Sequence, residues 1–192
     1  MIKAEALKPQ DIVVACKIFS YAENPRPGSD YTLTSLSDEL GLSAGEVHNC
    51  LARARKAQLL VRSKEGEIVA RKHLHEILTI AVPRFFYPVR GGVEMGMGTG
   101  VHAKPLSSKF ASASEKDGGL PFVWSTPRGS LKGQSIAPLY PSVPEAARRD
   151  QYLYELLALI DVIRLGDWKS RQAAIAILDR QLLKSPNPPN LE

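Results

Sequence analysis

Apolar residues first recur at helical spacing in Ile12, Ala15, Cys16 and Phe19, behind an opening Lys8-Pro9-Gln10-Asp11 in which a first-turn proline is tolerated. Pro25, Pro27 and Gly28 stop that helix and predict a loop over 23–30. Tyr31-Thr32-Leu33 reads as a short strand, and Thr34 as the cap of a brief helix ending at Leu40. Gly41 supplies the positive φ that closes a helix, and Ser43 with Glu46 three residues later forms a capping box that starts another.

At 100° per residue, Ala44, Val47, Cys50, Leu51, Ala54 and Ala57 fall in one apolar arc of that second helix, facing Leu36, Leu40 and Leu42. Gly45, Asn49, Ala52 and Lys56 lie opposite, flanked by His48, Arg53 and Arg55. Two helices joined by so short a glycine-containing turn make a helix-turn-helix arrangement. Leu59–Ser63 and Glu67–Ala70 then alternate as strands around Lys64-Glu65-Gly66, a hairpin placed where a wing would be. Helical period returns in Leu74, Ile77, Leu78 and Ala81, with Pro83 and Pro88 expected to end it.

Residues 83–141 read as an irregular segment rich in glycine, proline and serine, with Phe110, Phe122, Val123 and Trp124 as its scattered large apolar residues. Phe122 and Trp124 suggest a ligand pocket there. Ser142 with Glu145 forms a second capping box, Asp150 caps a helix that is apolar nearly all round from Tyr152 to Leu165, and Gly166 and Asp167 separate it from a further helix. Trp168, Ile175, Leu178 and Leu182 form the stripe of that last helix, and the prolines of 185–190 make a tail. The expected class is mainly α with a small β wing (α+β): 1–82, the irregular 83–141, a helical hairpin over 142–184 and the tail 185–192. The over-apolar helix, through Leu153, Leu156, Leu157, Leu159, Ile160 and Ile163, serves either as a dimer or partner interface or as a buried helix within one chain.

The 192 residues are long enough for a sizeable core, and 44% hydrophobic against 23% charged excludes wholesale disorder. No apolar run reaches the ~18 residues of a membrane span and the first residues lack an apolar signal region, so a cytoplasmic protein is expected. Cys16 and Cys50 have no C-x-x-C spacing and read as reduced, buried thiols. The net charge of +5 is unevenly placed: residues 1–52 sum to −3, whereas 53–72 alone sum to +5. The positive stretch therefore coincides with the second helix and the hairpin.

Chemical motifs are sparse. His73 and His75, at i and i+2 on a helix, point some 200° apart and cannot share one ion; Glu76 does not complete a ligand set. Gly91-Gly92 and Gly96-Met97-Gly98-Thr99-Gly100 lack the strand, helix and Lys-Ser/Thr of a phosphate loop. Nothing orients a base toward Ser107 or Ser108, with Lys109 and His102 nearby in the chain. Neither an enzyme nor a cofactor is expected.

The order of elements through the hairpin resembles the winged helix-turn-helix of MarR-type regulators over roughly the first 80 residues. The downstream Leu131-Lys132-Gly133-Gln134-Ser135 and Pro144-Glu145-Ala146-Ala147-Arg148-Arg149-Asp150 are similar to small bacterial regulators that carry such a domain, some of them antitoxin-like. The resemblance implies double-stranded DNA as partner, a homodimer, and a repressor occupying an operator. Its alternatives are an antitoxin that also neutralises a toxin protein, or a winged helix used only for protein contacts. On the DNA reading, Asn49 reads adenine, and His48 and Ser43 contact base edges or phosphate. Gly45 and Ala52 allow close approach, while Arg53, Arg55, Lys56, Arg62, Lys64 and Thr34 hold phosphates.

Overall fold

The computed structural model describes residues 6–25, 32–64, 66–110 and 119–183. Tyr31 of the expected strand, Glu65 of the expected hairpin turn and the tail from 185 onward lie outside them. The chain is α+β. It begins with α1 (Pro9–Glu23), α2 (Leu33–Leu40) and α3 (Ala44–Lys56), followed by an antiparallel ribbon of β1 (Leu60–Ser63) and β2 (Gly66–Val69). The α2 cap is Thr32 rather than Thr34: its hydroxyl accepts from the Ser35 N–H, and Leu33, expected in a strand, is already helical. Gly41 closes α2 at φ 62° as the sequence predicts, and Ser43 caps α3 by accepting from the Glu46 N–H, but the Glu46 carboxylate does not complete the expected capping box and turns to Arg53 and Gln10.

Pro83 does not end the next helix. α4 (Arg71–Glu76) widens into a π segment, Ile77–Ala81, and continues as α5 (Val82–Phe85). The Val82 N–H bonds to the Ile77 carbonyl five residues back. Proline lacks an N–H and its ring crowds the carbonyl four residues back, and one wide turn accommodates both.

The expected irregular segment holds a sheet. β3 (Arg90–Gly98) pairs antiparallel with β5 (Leu131–Ile136) along its first part and with β4 (Phe122–Ser125) along its last. β4 and β5 meet in parallel at Phe122↔Gln134 and Val123↔Ser135, closing a three-stranded barrel. So tight a closure brings backbone against backbone. A β-carbon at Gly96 would overlap the Trp124 carbonyl, one at Gly129 the Gly96 backbone, and one at Gly133 the Pro121 carbonyl. Gly96, Gly129 and Gly133 are thus required by strand packing.

α6 (Val143–Arg149) follows, without the expected cap: Ser142 makes no side-chain capping bond, and Glu145 turns to Arg128, Arg148 and Arg149. α7 (Gln151–Leu165) is apolar all round because α1, α5, α6, the turn at Gly100–His102 and α8 (Trp168–Leu178) surround it. Leu153, Leu156, Leu157, Leu159, Ile160 and Ile163 are each at most 2% exposed, so they are core and not a dimer or partner interface. Trp168 is likewise misplaced by its period; it stands 76% exposed, while Ala174 and Leu178 carry the buried stripe.

Two buried polar clusters tie α7 to distant elements. At its start, the Asp150 carboxylate accepts from the Leu153 N–H (3.0 Å), the Lys17 ammonium (2.5 Å) and the Ser20 hydroxyl (2.8 Å), and Lys17 also pairs with Glu39. Toward its end, Asp161 accepts from the Thr99 hydroxyl (2.7 Å), the Trp124 indole (2.7 Å) and Arg164 (2.6 Å). Arg164 in turn donates to the Phe86 and Tyr87 carbonyls. Each buried charge thus has an opposite charge and further hydrogen bonds.

Candidate nucleic-acid interface

α3 is positioned first by its apolar side. Val47, Cys50, Leu51 and Ala54 are buried, as are Leu36, Leu40 and Leu42 of the preceding helix and turn. A polar clamp then sets its rotation. Arg53 lies only 6% exposed, with Nε and Nη2 donating to the fully buried Asp11 carboxylate at 2.7–3.0 Å and Nη2 donating to Glu46 at 2.7 Å. Glu46 also accepts from Gln10, and Asp11 from the Lys8 N–H. The bonded Asp11 carboxylate holds the guanidinium charged, and Arg53 in turn keeps the Glu46 carboxyl below the usual carboxylate range. Arg53, expected among the phosphate contacts, is therefore a structural ion inside the α1–α3 junction. Its partner Asp11 lies 42 residues upstream, beyond the reach of any local charge count.

Asp11, Glu46 and Cys50 bring three metal-capable atoms within 4.8 Å of one another, but the guanidinium is the cation they hold. Burial pushes the Cys50 thiol well above its ordinary pKa. Cys16 and Cys50 are both free and buried, as expected.

The opposite side of α3 is open. Ser43, Gly45, His48, Asn49 and Lys56 are exposed and Ala52 is half-buried. A β-carbon at Gly45 would meet no neighbour within 4 Å, so another surface can come close to this turn of backbone. Arg55 bridges to Glu67 on β2, fastening the ribbon to α3, so its charge is partly spent within the chain. Arg62 and Lys64 project from the ribbon into solvent, and Thr34 is exposed in the first turn of α2. Between α3 and the ribbon lies an open hollow of about 400 Å³, with Leu36 and Leu51 at its floor and His48, Arg55 and Arg62 at its rim.

Three further arginines meet close to the C-terminal end of α2. Arg128, Arg148 and Arg149 gather around Glu145, and Arg149 donates to the Asp38 carbonyl near the end of α2 at 2.7 Å. More than 100 residues separate Arg149 from Asp38, so no local pattern announces the cluster.

The remaining candidates are accounted for in the structure. His73 bonds to the Gln58 carbonyl (2.8 Å) and His75 to Asp179 (2.6 Å), so the two rings have separate partners. The expected pocket at Phe122 and Trp124 is a cavity of only about 70 Å³ beside Arg90, Phe122 and Asp167, while Trp124 itself is turned into the core. That is far below the ~300 Å³ of a small-molecule site.

Set against known proteins, the chain matches no family model, and neither a curated protein nor a solved structure matches it significantly.

Proposed function

We propose that α1 to β2 form a winged helix-turn-helix and that the protein is a DNA-binding transcription regulator, acting as a repressor by occupying an operator. The observation that carries this reading is the two-sided character of α3. One side is locked by Arg53 and the apolar residues, and the other presents Gly45, His48, Asn49 and Lys56 to solvent beside Arg62 and Lys64.

On this reading α3 lies in the major groove, where the Asn49 amide can bond both the acceptor and the donor of an adenine edge. His48 and Ser43 flank it, while Gly45 and Ala52 let the helix sit deep. Lys56 and the ribbon's Arg62 and Lys64 follow the phosphates, and the first turn of α2 at Thr34 offers a hydroxyl and free backbone N–H groups to another. Arg53 takes no part, and Arg55 contributes only what its pairing with Glu67 leaves.

The test is fluorescence anisotropy on the DNA upstream of the protein's own gene, with unrelated duplex as competitor, at several salt concentrations. Binding is expected to prefer the upstream fragment and to weaken with salt by a slope of about −0.9 per neutralised phosphate. The Asn49→Ala/Lys56→Ala variant should lose at least tenfold in affinity. Equal binding by that variant and wild type would refute the assignment of α3 as the reading helix, and no preference over competitor would refute sequence reading altogether.

A further inference from the structure

We propose that the hollow between α3 and the ribbon is a binding site for a small organic anion, a carboxylate carried on an apolar body. At about 400 Å³ the hollow lies within the range that takes a small molecule. Its floor is apolar. Leu36 and Leu51 are core residues, and Leu33, the first residue of α2, stands 44% exposed beside them. A single exposed leucine needs no explanation, but this one shares a concave surface with two others, and only an apolar occupant would take it out of water.

The rim sets the sign of the charge. Arg62 stands opposite Glu67 in the ribbon, so their side chains leave the same face, and the bond from Arg55 to Glu67 identifies that face as the one toward α3. Arg62 therefore leans over the hollow, whose lining includes it. Arg55 and Glu67 neutralise one another, and the Glu67 side chain is only 7% exposed. Arg62 and His48 differ from them. Both are exposed, and neither side chain has a hydrogen bond or an ion pair among the described residues. The hollow thus presents an uncompensated guanidinium, with an imidazole beside it, above a floor of leucines.

That combination selects the occupant. A guanidinium holds a carboxylate through two parallel hydrogen bonds, and the His48 ring can donate another. An apolar body attached to the carboxylate covers Leu33, Leu36 and Leu51. A phosphate of a nucleic-acid backbone would use the rim and leave the leucines wet, and a neutral apolar molecule would do the reverse. Gly66 lines the ribbon side and brings no side chain into the way of entry. The inference does not rest on the DNA-binding reading, but the two meet. Arg62 and His48 also belong to the proposed DNA face, so an anion in the hollow and a duplex on α3 exclude one another.

Equilibrium dialysis of the full chain against naphthoate, with no DNA present, tests the site. The expected dissociation constant is on the order of 0.1 mM, as an open site allows for a ligand this small. Naphthamide, of the same shape without the charge, and benzoate, with half the ring surface, should each bind at least about tenfold more weakly. Arg62→Gln removes the guanidinium at an exposed position, and Leu33→Asp puts a carboxylate where an acidic residue suits the start of a helix, so both variants should fold. Each should lower the affinity for naphthoate at least about tenfold. Arg128→Gln, which removes a cation outside the hollow, should bind as wild type does. No excess of naphthoate on the protein side up to about 1 mM would overturn the proposal. Equal affinity for naphthoate and naphthamide would overturn it as well, and so would unchanged binding by either Arg62→Gln or Leu33→Asp, which would place the anion elsewhere on the chain.

Discussion

Lys17 and Asp150 are 1% and 2% exposed, and they join α1 to the start of α7 across 133 positions of sequence. Asp150→Ala removes two things at once. The capping bond to the Leu153 N–H contributes about 1 kcal/mol. Depriving a buried ammonium of a carboxylate costs about 3 kcal/mol, at the lower end of the usual range because Glu39 remains beside Lys17. The expected loss is therefore about 4 kcal/mol, which for a chain of this length lowers Tm by about 10 °C. Lys17→Met should cost about 2 kcal/mol, since Asp150 keeps Ser20 and the Leu153 N–H. The informative variant is the double. Lys17→Met/Asp150→Ala removes both charges of the buried pair and leaves only the part-exposed Glu39, which keeps the Tyr21 hydroxyl, so it should be at least about 2 kcal/mol more stable than the sum of the single losses predicts. Urea unfolding of the four proteins, with midpoints and slopes compared, measures this directly. Single losses that simply add, or an Asp150→Ala loss under about 1 kcal/mol, would refute the claim that these charges are sealed from water.

Acid should weaken the same junction. Burial opposes ionisation of Asp150, but the Leu153 N–H, the Lys17 ammonium and the Ser20 hydroxyl outweigh it and hold its carboxyl below the usual carboxylate range. A depressed carboxyl stabilises the fold fully above the unfolded-state pKa of ~3.9 and ceases to do so as pH falls through its own lower value. Wild type should thus lose stability below about pH 4 more steeply than Asp150→Ala, as urea midpoints against pH will show. Gly133→Ala, forced against the Pro121 carbonyl, should cost about 2 kcal/mol or more in urea unfolding, whereas Gly92→Ala at its open position should cost under about 1 kcal/mol. Iodide should quench the 76% exposed Trp168 and spare Trp124, so Trp168→Phe should remove the quenchable part of the emission and leave the rest. Burial pushes the Cys16 thiol up to about 12, and iodoacetamide should therefore label it at mildly alkaline pH only as fast as the native chain opens.

What the sequence reveals of the fold follows how local the determining forces are. Gly41, Ser43, Asp150 and Asp167 were legible as helix ends because a cap involves atoms three or four residues apart. The β1–β2 ribbon was legible for a similar reason, its partners lying within a single short turn. β3 was not. Its RGGVEMGMG has few of the residues that favour strands, because the closure of the barrel needs glycine where backbones cross, and its partner strands begin 24 or more residues after it ends. Pro83 reads as a terminator in any local scheme, and only the π turn before it lets the helix continue. The candidate interface divides in the same way. The outward set of Gly45, His48, Asn49 and Lys56 followed from helical period alone. The inward turn of Arg53 depends on Asp11, which periodicity placed at a helix start with no hint of that partner. Conversely, the apolarity of α7 correctly signalled burial on every side but could not say whether this chain or another supplied the cover.

The Asp11–Arg53–Glu46 clamp has one further consequence. A guanidinium in the last turn of α3 held by the Asp11 carboxylate of α1 forbids the helix to roll about its axis, because a turn of even one residue, 100°, would pull Arg53 off Asp11 and Glu46 off Gln10. Any surface that meets the outward face therefore encounters a die already cut. The loss of freedom occurs when the chain folds and not when it binds, so whatever docks there must conform to α3, and a misfit cannot be relieved by the helix giving way.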